Sequence, residues 1–500
     1  MNNKLKSIFN NLIFSISFLV LFSLLIVSTF QSTFIRLNEK VTFLYFDYYW
    51  ILFLFLHVIF LFFIIKNKNI INEKIFFVLL TTIYILIAGY LIINISPIIR
   101  ADANIVYKVA NQLRNGIYDY FNPGMYMNYY PHQLGLVYYN YLLGFISYST
   151  KFIFFVNFIE VVAINYAMYR IIKILSKNNK LKILIGIYLS FAFTPQLLFI
   201  SFAYGLIPGF LFMIYGVLNI LKFNKYGKIK NLILSIIFLI ISCLIRNNFI
   251  IAVIAIAIYE WITLDNKKII ALKFLLGFLI LNSATGFLLK NITSHITNIK
   301  ISKGMPKILW IAMGTDINNN RLGPGWYNGY HTNVLEDMNY NFDKAGKIGK
   351  EKVLQNIKEH LSSPLKSISF FSKKFVSTWN EPTFQSIWSG PQDRLDQINY
   401  SNITKSLYGE GNIFWINYEY MKATLYLIYL GIAIFLIKDY RKKYALFLIY
   451  FLGGVAFHLI WETKSQYVYP YVFLMIPLVV NGVEIIYKNH VNFNANKHYR

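Results

Sequence analysis

Long runs of apolar residues, separated by short polar links, dominate the chain. Each run approaches the roughly 20 residues that an α-helix needs to cross the hydrocarbon core of a bilayer. The runs are too long and alternate too little for the strands of a membrane β-barrel. The pattern therefore predicts an all-α polytopic membrane protein. About twelve predicted transmembrane helices begin near residues 8, 49, 75, 152, 182, 205, 231, 248, 270, 418, 443 and 466.

The composition supports this interpretation. Of 500 residues, 57% are hydrophobic and 14% are charged, whereas a typical soluble chain carries about 25% charge. The net charge is +26, but the basic residues concentrate in polar links rather than in one nucleic-acid-binding domain. Because positive loops stay in the cytoplasm, we expect a multi-pass plasma-membrane protein with these links on one side and no nucleic-acid partner. The links lie near residues 66–74, 173–182, 222–230, 267–268 and 438–443.

Two segments then fall on the outer face. The first, at about residues 98–150, belongs to an N-terminal transmembrane catalytic module at residues 1–289. The second is a long outer loop at residues 290–417, and residues 418–500 form C-terminal transmembrane helices with a short cytoplasmic tail. Residues 133–150 are apolar enough to span, but a span there would move every later basic link to the opposite side. We therefore expect an outer re-entrant or juxtamembrane helix, with a span as the alternative.

Asp102 is the first candidate for chemistry. It lies just after the third predicted span, where a carboxylate can face the headgroup region, and it precedes apolar residues spaced as in an amphipathic surface helix. Its alternative role is that of a helix N-cap. Tyr130 and His132 follow, and both can hydrogen-bond a phosphate or a sugar. An interfacial aromatic belt is the alternative for the tyrosine.

Two basic residues on the same side are candidates for anion binding. Arg246 lies between two strongly apolar predicted spans, where a charge is costly and often functional. Its guanidinium matches phosphate oxygens, and snorkelling to the interface is the alternative. Lys464 lies near Glu462 in the last outer connection. These two residues either pair with each other or line the mouth of a cavity.

Aromatic, amide and carboxylate side chains are candidates for sugar or acceptor binding, because tryptophan faces stack on sugar rings while amides and carboxylates bind hydroxyls. The candidates are Glu381, Trp388, Gln466 and Tyr467, with packing inside a small subdomain as the alternative for the first two. The single cysteine, Cys243, excludes an internal disulfide. No metal-ligand motif is present, so the sequence does not indicate a divalent metal, although it does not exclude one, and no cofactor is assigned.

The order of these features resembles the GT-C superfamily of polytopic glycosyltransferases. The likeness rests on Asp102, the Tyr-Pro-His sequence at residues 130–132, the Leu-Ile-Arg-Asn-Asn junction at residues 244–248 and the aromatic segment at residues 462–470. It covers most of the chain and is nearest to family 39-like members of the protein mannosyltransferase and aminoarabinose transferase type. The chain departs from the family at residues 131–133, where Pro-His-Gln replaces a frequent His-Pro-Pro, and in having one acid where the family often has two.

The resemblance implies a polyprenyl-phosphate-linked sugar donor, transfer on the outer face of the membrane and inversion at the anomeric carbon. It implies that Asp102 takes the proton of the acceptor hydroxyl. The donor phosphate would be bound by Arg246, His132, Tyr130 and Lys464. The acceptor would be a cell-surface glycan, a glycolipid or a protein. A flippase or transporter for lipid-linked sugars and a surface-polysaccharide polymerase stay open as alternatives.

Overall fold

The computed structural model describes residues 3–95, 99–263, 268–391, 400–438 and 442–498. Residue 98 of the first predicted outer segment and residues 267 and 439–441 of the predicted basic links lie outside this part of the chain. The first elements are α1 (Asn3–Phe30), β1 (Gln31–Ile35), β2 (Val41–Tyr45), α2 (Trp50–Asn67), α3 (Glu73–Asn94), α4 (Ala101–Arg114), α5 (Tyr126–Tyr129), α6 (Leu134–Leu143), α7 (Thr150–Leu175), α8 (Lys180–Ala192), α9 (Pro195–Leu198), α10 (Leu206–Tyr226), α11 (Ile229–Ile245), α12 (Ile250–Thr263) and α13 (Lys268–Thr297). The remaining elements are α14 (Ile308–Gly314), α15 (Tyr330–Asp337), α16 (Phe342–Ser362), α17 (Pro364–Trp379), α18 (Asn402–Tyr408), α19 (Asn412–Lys438), α20 (Ala445–Ile460), α21 (Tyr469–Leu474) and α22 (Ile476–His498).

The described chain is mostly helical, as expected for a protein whose backbone polar groups must be satisfied in lipid. Seven of its helices are long and apolar enough to cross a membrane, namely α1, α2, α3, α7, α10, α13 and α19. Two bent pairs, α8 with α9 and α21 with α22, raise the number to nine. Every predicted span corresponds to one of these helices or to α11, α12 or α20. The last three have only 17, 14 and 16 residues, about 25 Å or less, so the count of twelve stays a prediction.

Three of the basic links meet at one end of the helix bundle. Lys173, near the end of α7, pairs with Glu73 at the start of α3. Lys443, just before α20, donates to the Leu175 carbonyl at 2.9 Å. Because α3 begins at this end and is followed by α4, Asp102 lies at the opposite end. For these three links and Asp102, the fold has the separation that the charge pattern predicts.

Helix α6 supports one side of the candidate site. It has 10 residues, about 15 Å in length, which is half the thickness of a bilayer core. This length fits the predicted re-entrant or juxtamembrane helix and is too short for a span by itself. A Cβ atom on Gly135 would lie 2.0 Å from the Leu244 carbonyl oxygen. Glycine thus lets α6 pack directly against the end of α11, which brings residues 130–133 beside Arg246.

The second outer segment folds into α14 to α18 and packs against a β-hairpin formed by β1 and β2. The strands are antiparallel, with Gln31 opposite Tyr45 and Ile35 opposite Val41. Ile35 and Val41 form a buried cluster with Trp326 and Trp388 of the outer segment. The sequence pattern does not reveal this hairpin, because its strands are short and adjoin a much longer apolar run. Helix α13 continues to Thr297 and α19 begins at Asn412, so both helices extend into the predicted loop 290–417.

Candidate functional site

A cavity of about 680 Å³ lies at the end of the bundle opposite the basic links. The first turn of α4, the junction of α11 with α12, the end of α13 and the connection between α20 and α21 all contribute to its walls. The structure thereby brings together residues that are hundreds of positions apart. Of the predicted site residues, all except Glu381 line the cavity: Asp102, Tyr130, His132, Arg246, Trp388, Lys464, Gln466 and Tyr467.

Asp102 faces the cavity from the first turn of α4. The N-cap of that helix is Arg100 and has no side-chain capping bond, so the alternative role of Asp102 as an N-cap is wrong. The Tyr204 hydroxyl donates to Asp102 Oδ2 at 3.4 Å. Enclosure by the surrounding protein raises the pKa of Asp102, and the charge of Glu39 adds to that effect, while Lys464 and Tyr204 oppose it. The carboxyl group therefore titrates above the usual range of an aspartate.

Tyr204 connects Asp102 with Arg246 and was not identified from the sequence. Its hydroxyl accepts a hydrogen bond from Gln133 Nε2 at 3.0 Å, and its carbonyl accepts one from Arg246 Nη1 at 3.0 Å. The guanidinium lies 5.6 Å from the centre of the Tyr204 ring and 5.3 Å from that of Tyr467. Arg246 is thus held between two aromatic rings at the break between α11 and α12. A tyrosine in the short turn between two apolar segments is the only sequence signal for Tyr204.

Three basic residues surround His132, and we call Arg246, Lys290 and Lys307 the basic cluster. Burial and, to a lesser degree, the charges of Lys307, Arg246 and Lys290 lower the pKa of His132 to about 4. The imidazole is therefore neutral at pH 7 and can offer a ligand a hydrogen bond rather than a charge. Within the described ranges, none of the three basic residues forms an ion pair with a carboxylate. Their positive charge is available to an anion in the cavity.

Lys464 lies among three carboxylates, and we call Glu39, Asp102 and Glu462 the acidic cluster. The ammonium pairs with the Glu39 carboxylate of the β-hairpin. The ion pair that the sequence suggested, between Lys464 and Glu462, is therefore not the one formed. Burial opposes the charge of Lys464, but Glu39, Glu462 and Asp102 together raise its pKa. Burial also raises the pKa of Glu462, to about 7. Lys464 is already neutralised by protein groups, whereas the basic cluster is not.

Aromatic rings form another part of the wall. Trp310 stacks on Trp461 with ring centres 5.8 Å apart and planes 10° apart. The Tyr130 hydroxyl is hydrogen-bonded to His331 Nε2 at 2.8 Å, so Tyr130 is positioned by the outer segment. Trp388 is 8% exposed, and the Arg100 guanidinium covers its ring at 3.7 Å. The partly exposed pair of Trp310 and Trp461 is therefore better suited to stacking on a ligand than Trp388.

Glu381 lies behind the cavity wall and does not line it. Its carboxylate accepts hydrogen bonds from the Thr383 hydroxyl at 2.6 Å, the Gln385 amide at 2.7 Å and the Ser465 hydroxyl at 2.8 Å. These bonds tie the turn after Glu381 to the residue that follows Lys464. The position of Glu381 is that of a structural support, and it corrects the expectation that this side chain contacts sugar or acceptor.

The part of the chain that the structure describes contains no group of three or more His, Cys, Asp and Glu side chains placed to hold a metal ion. The cavity instead combines a basic cluster, an acidic cluster and aromatic rings, with Tyr204 between the two clusters. This arrangement can bind an anion at one side and accept a proton at the other. No protein-family model, no curated protein and no solved structure matches the chain.

Proposed function

We propose that the protein is a GT-C-like membrane glycosyltransferase that uses a polyprenyl-phosphate-linked sugar and acts on the outer face of the plasma membrane. The sugar passes with inversion to a hydroxyl group of a cell-surface glycan, a glycolipid or a protein. The observation that carries this proposal is the division of one cavity into a basic cluster, which has no carboxylate partner among the described residues, and an acidic cluster that contains Asp102.

The basic cluster suits the phosphate of the donor. A phosphate leaving group gains negative charge as its bond to the sugar breaks, and preorganised cations and hydrogen-bond donors stabilise that charge. Arg246 offers a planar fork for phosphate oxygens, and Lys290 and Lys307 add two point charges. The neutral His132 supplies a further hydrogen-bond donor. Lys464 is held by Glu39 in this arrangement, so we assign it to the acidic side of the cavity rather than to the phosphate.

Asp102 suits the role of general base. In the proposed step, the acceptor oxygen forms a bond to the anomeric carbon and its proton passes to the Asp102 carboxylate. The bond between that carbon and the phosphate oxygen breaks, and the phosphate leaves with the electron pair. A base is most effective when its pKa approaches the working pH, and enclosure by protein raises the pKa of Asp102 in that direction.

The apolar lining suits the lipid part of such a donor. Ile250 and Ile251 at the start of α12 and Phe457 near the end of α20 line the cavity. These residues belong to apolar helices of the bundle, so the same opening offers charges for a phosphate and hydrocarbon surface for an isoprenoid chain. A water-soluble nucleotide sugar would make no use of that surface.

The test is sugar transfer by the full-length protein reconstituted in liposomes with a panel of polyprenyl-phosphate sugars. Asp102→Asn should reduce transfer about a thousandfold, because the amide cannot take the proton. Asp337→Asn changes an exposed acid on α15 outside the cavity lining and should leave transfer unchanged. Wild-type turnover by Asp102→Asn would contradict the assignment of the base.

Two further outcomes would favour the alternative functions. Movement of a lipid-linked sugar across the liposome membrane without transfer would indicate a flippase. Extension of a glycan only from a lipid-diphosphate donor would indicate a polymerase.

A further inference from the structure

Two buried side-chain oxygen atoms at the acidic side of the cavity have no hydrogen-bond partner among the residues that the structure describes. Glu462 is 4% exposed and Gln466 is 3% exposed, and both residues line the cavity. Within the described part of the chain, Glu462 Oε1 and Gln466 Oε1 accept no hydrogen bond. A buried polar atom without a partner is costly and calls for an explanation, such as a ligand that the site is built to receive.

The nearby lysines do not supply the missing partner. Lys374 Nζ donates to three carbonyl oxygens, those of Gly314, Leu459 and Trp461. Since an ammonium has three N–H groups, these bonds use all of them. Lys464 pairs with Glu39 instead. The Tyr467 side chain also interacts with the Glu462 carboxylate, but Oε1 has no hydrogen-bond partner in the described part of the chain.

The backbone that carries Glu462 is held in place on both sides. The Glu462 amide donates to the Trp310 carbonyl at 3.2 Å, and the Thr463 amide donates to the Gly325 carbonyl at 3.0 Å. A Cβ atom on Gly314 would lie 2.5 Å from the Glu462 nitrogen, so the neighbouring helix packs directly on this turn. Such a constrained turn presents its side chains in one arrangement, which is the property expected of a recognition element.

We propose that Glu462, together with Gln466, accepts hydrogen bonds from hydroxyl groups of the transferred sugar and thereby selects the sugar that the donor carries. This inference rests on the proposed function. A donor phosphate has only acceptor oxygens at neutral pH, so it cannot satisfy Glu462 Oε1, whereas sugar hydroxyls donate. The phosphate then lies at the basic cluster and the sugar ring at Glu462, with the stacked Trp310 and Trp461 beside the ring and the anomeric carbon between the two clusters.

The test compares binding of two probes to the full-length protein in liposomes. One probe is farnesyl phosphate, and the other is a set of farnesyl-phosphate hexoses with glucose, galactose or mannose. Glu462→Gln should leave the Kd for farnesyl phosphate unchanged and weaken binding of the best hexose probe about tenfold or more, because a neutral amide replaces one acceptor oxygen of the carboxylate with an N–H donor. The differences among the three hexoses should shrink as well.

The matched control is Glu260→Gln. Glu260 in α12 is a buried glutamate as well, and its Oε2 has no hydrogen-bond partner among the described residues, but it lies outside the cavity lining. This variant should bind both probes as the wild type does. Gln466→Met removes the second acceptor with little change in volume and should weaken hexose binding while leaving the Kd for farnesyl phosphate unchanged. This result tests the proposal even if Glu462→Gln fails to fold.

The outcomes separate this proposal from the function on which it rests. If the wild-type protein binds neither probe, the proposed function fails. If farnesyl phosphate binds and Glu462→Gln leaves hexose affinity and preference unchanged, the sugar subsite is wrong while the proposed function stands. A loss that is equal for farnesyl phosphate and the hexose probes would show that Glu462 supports the structure rather than recognising sugar.

Discussion

Two buried lysine–glutamate pairs lie at opposite ends of the helix bundle, and they differ in their surroundings. Lys182 contacts Glu484 at 2.8 Å, with side chains 10% and 11% exposed. Lys464 contacts Glu39 with side chains 14% and 13% exposed. Lys182 also donates to Asn481 Oδ1 at 2.8 Å, at the end where the basic links meet. The pairs are similar in chemistry and in burial, so neither property tells which of them belongs to a functional site.

The two pairs differ in whether the polar groups around them have hydrogen-bond partners. Lys182 is held by Glu484 and Asn481 away from the cavity, which is typical of an ion pair that joins two helices. Lys464 borders a cavity, faces further carboxylates and lies two residues from Glu462, whose Oε1 has no partner in the described part of the chain. An open cavity with incompletely satisfied polar groups is a better indicator of ligand binding than a buried charge is.

The largest expected effect is on the rate of transfer, and it distinguishes a cation in the cavity from a cation at the opposite end of the bundle. Arg246→Met should reduce kcat/KM for transfer by a hundredfold to a thousandfold, about the range for loss of a preorganised group that stabilises charge in the transition state. Lys180→Met changes an exposed cation among the basic links and should leave transfer unchanged. Initial rates in liposomes provide the measurement. Equal rates for the two variants would contradict the functional contrast between the two ends.

The next effect concerns stability. Glu484→Gln should lower the free energy of unfolding by roughly 3 kcal/mol, because it leaves Lys182 buried without its main counter-charge. Glu39→Gln should cost less, because Lys464 still faces Glu462 and Asp102 beside an open cavity. Denaturant unfolding in detergent micelles measures both values. A larger loss for Glu39→Gln would show that the cavity pair is the structural one and would reverse the comparison.

The smallest expected effect is a shift in the pH dependence of transfer. A base must be ionised to act, so transfer should fall as the pH drops through the pKa of Asp102, which the protein around the cavity raises above its usual range. Tyr204→Phe removes a hydrogen bond that favours the ionised carboxylate. The fall in transfer on the acidic side of the pH profile, the acid limb, should therefore move to higher pH. Glu39→Gln removes a negative charge that raises the pKa of Asp102, so the limb should move to lower pH.

Profiles of kcat/KM against pH provide the measurement, with Tyr226→Phe, on an exposed tyrosine at the far end of α10, as the control. Shifts of Tyr204→Phe and Glu39→Gln in the same direction would contradict the assignment of the acid limb to Asp102. An unchanged limb in both variants would contradict it as well.

The sequence by itself determined the helical class and the division of the chain into apolar segments, since hydropathy and charge are properties of consecutive residues. It also predicted that Asp102 and Arg246 lie away from the basic links, because successive helices alternate in direction. Both residues do line one cavity. Their catalytic and binding roles stay predictions that the experiments above address.

Only the tertiary structure decided which side chains meet. Glu39 comes from a short hairpin and Tyr204 from a turn, and neither position has a periodic pattern that could reveal its neighbours. The structure pairs Lys464 with Glu39, places Glu381 behind the wall and gathers Lys290 and Lys307 around His132. These partnerships depend on how helices and loops from distant parts of the chain pack together. Packing selects contacts in three dimensions, and a one-dimensional pattern of apolar and polar residues does not contain that information.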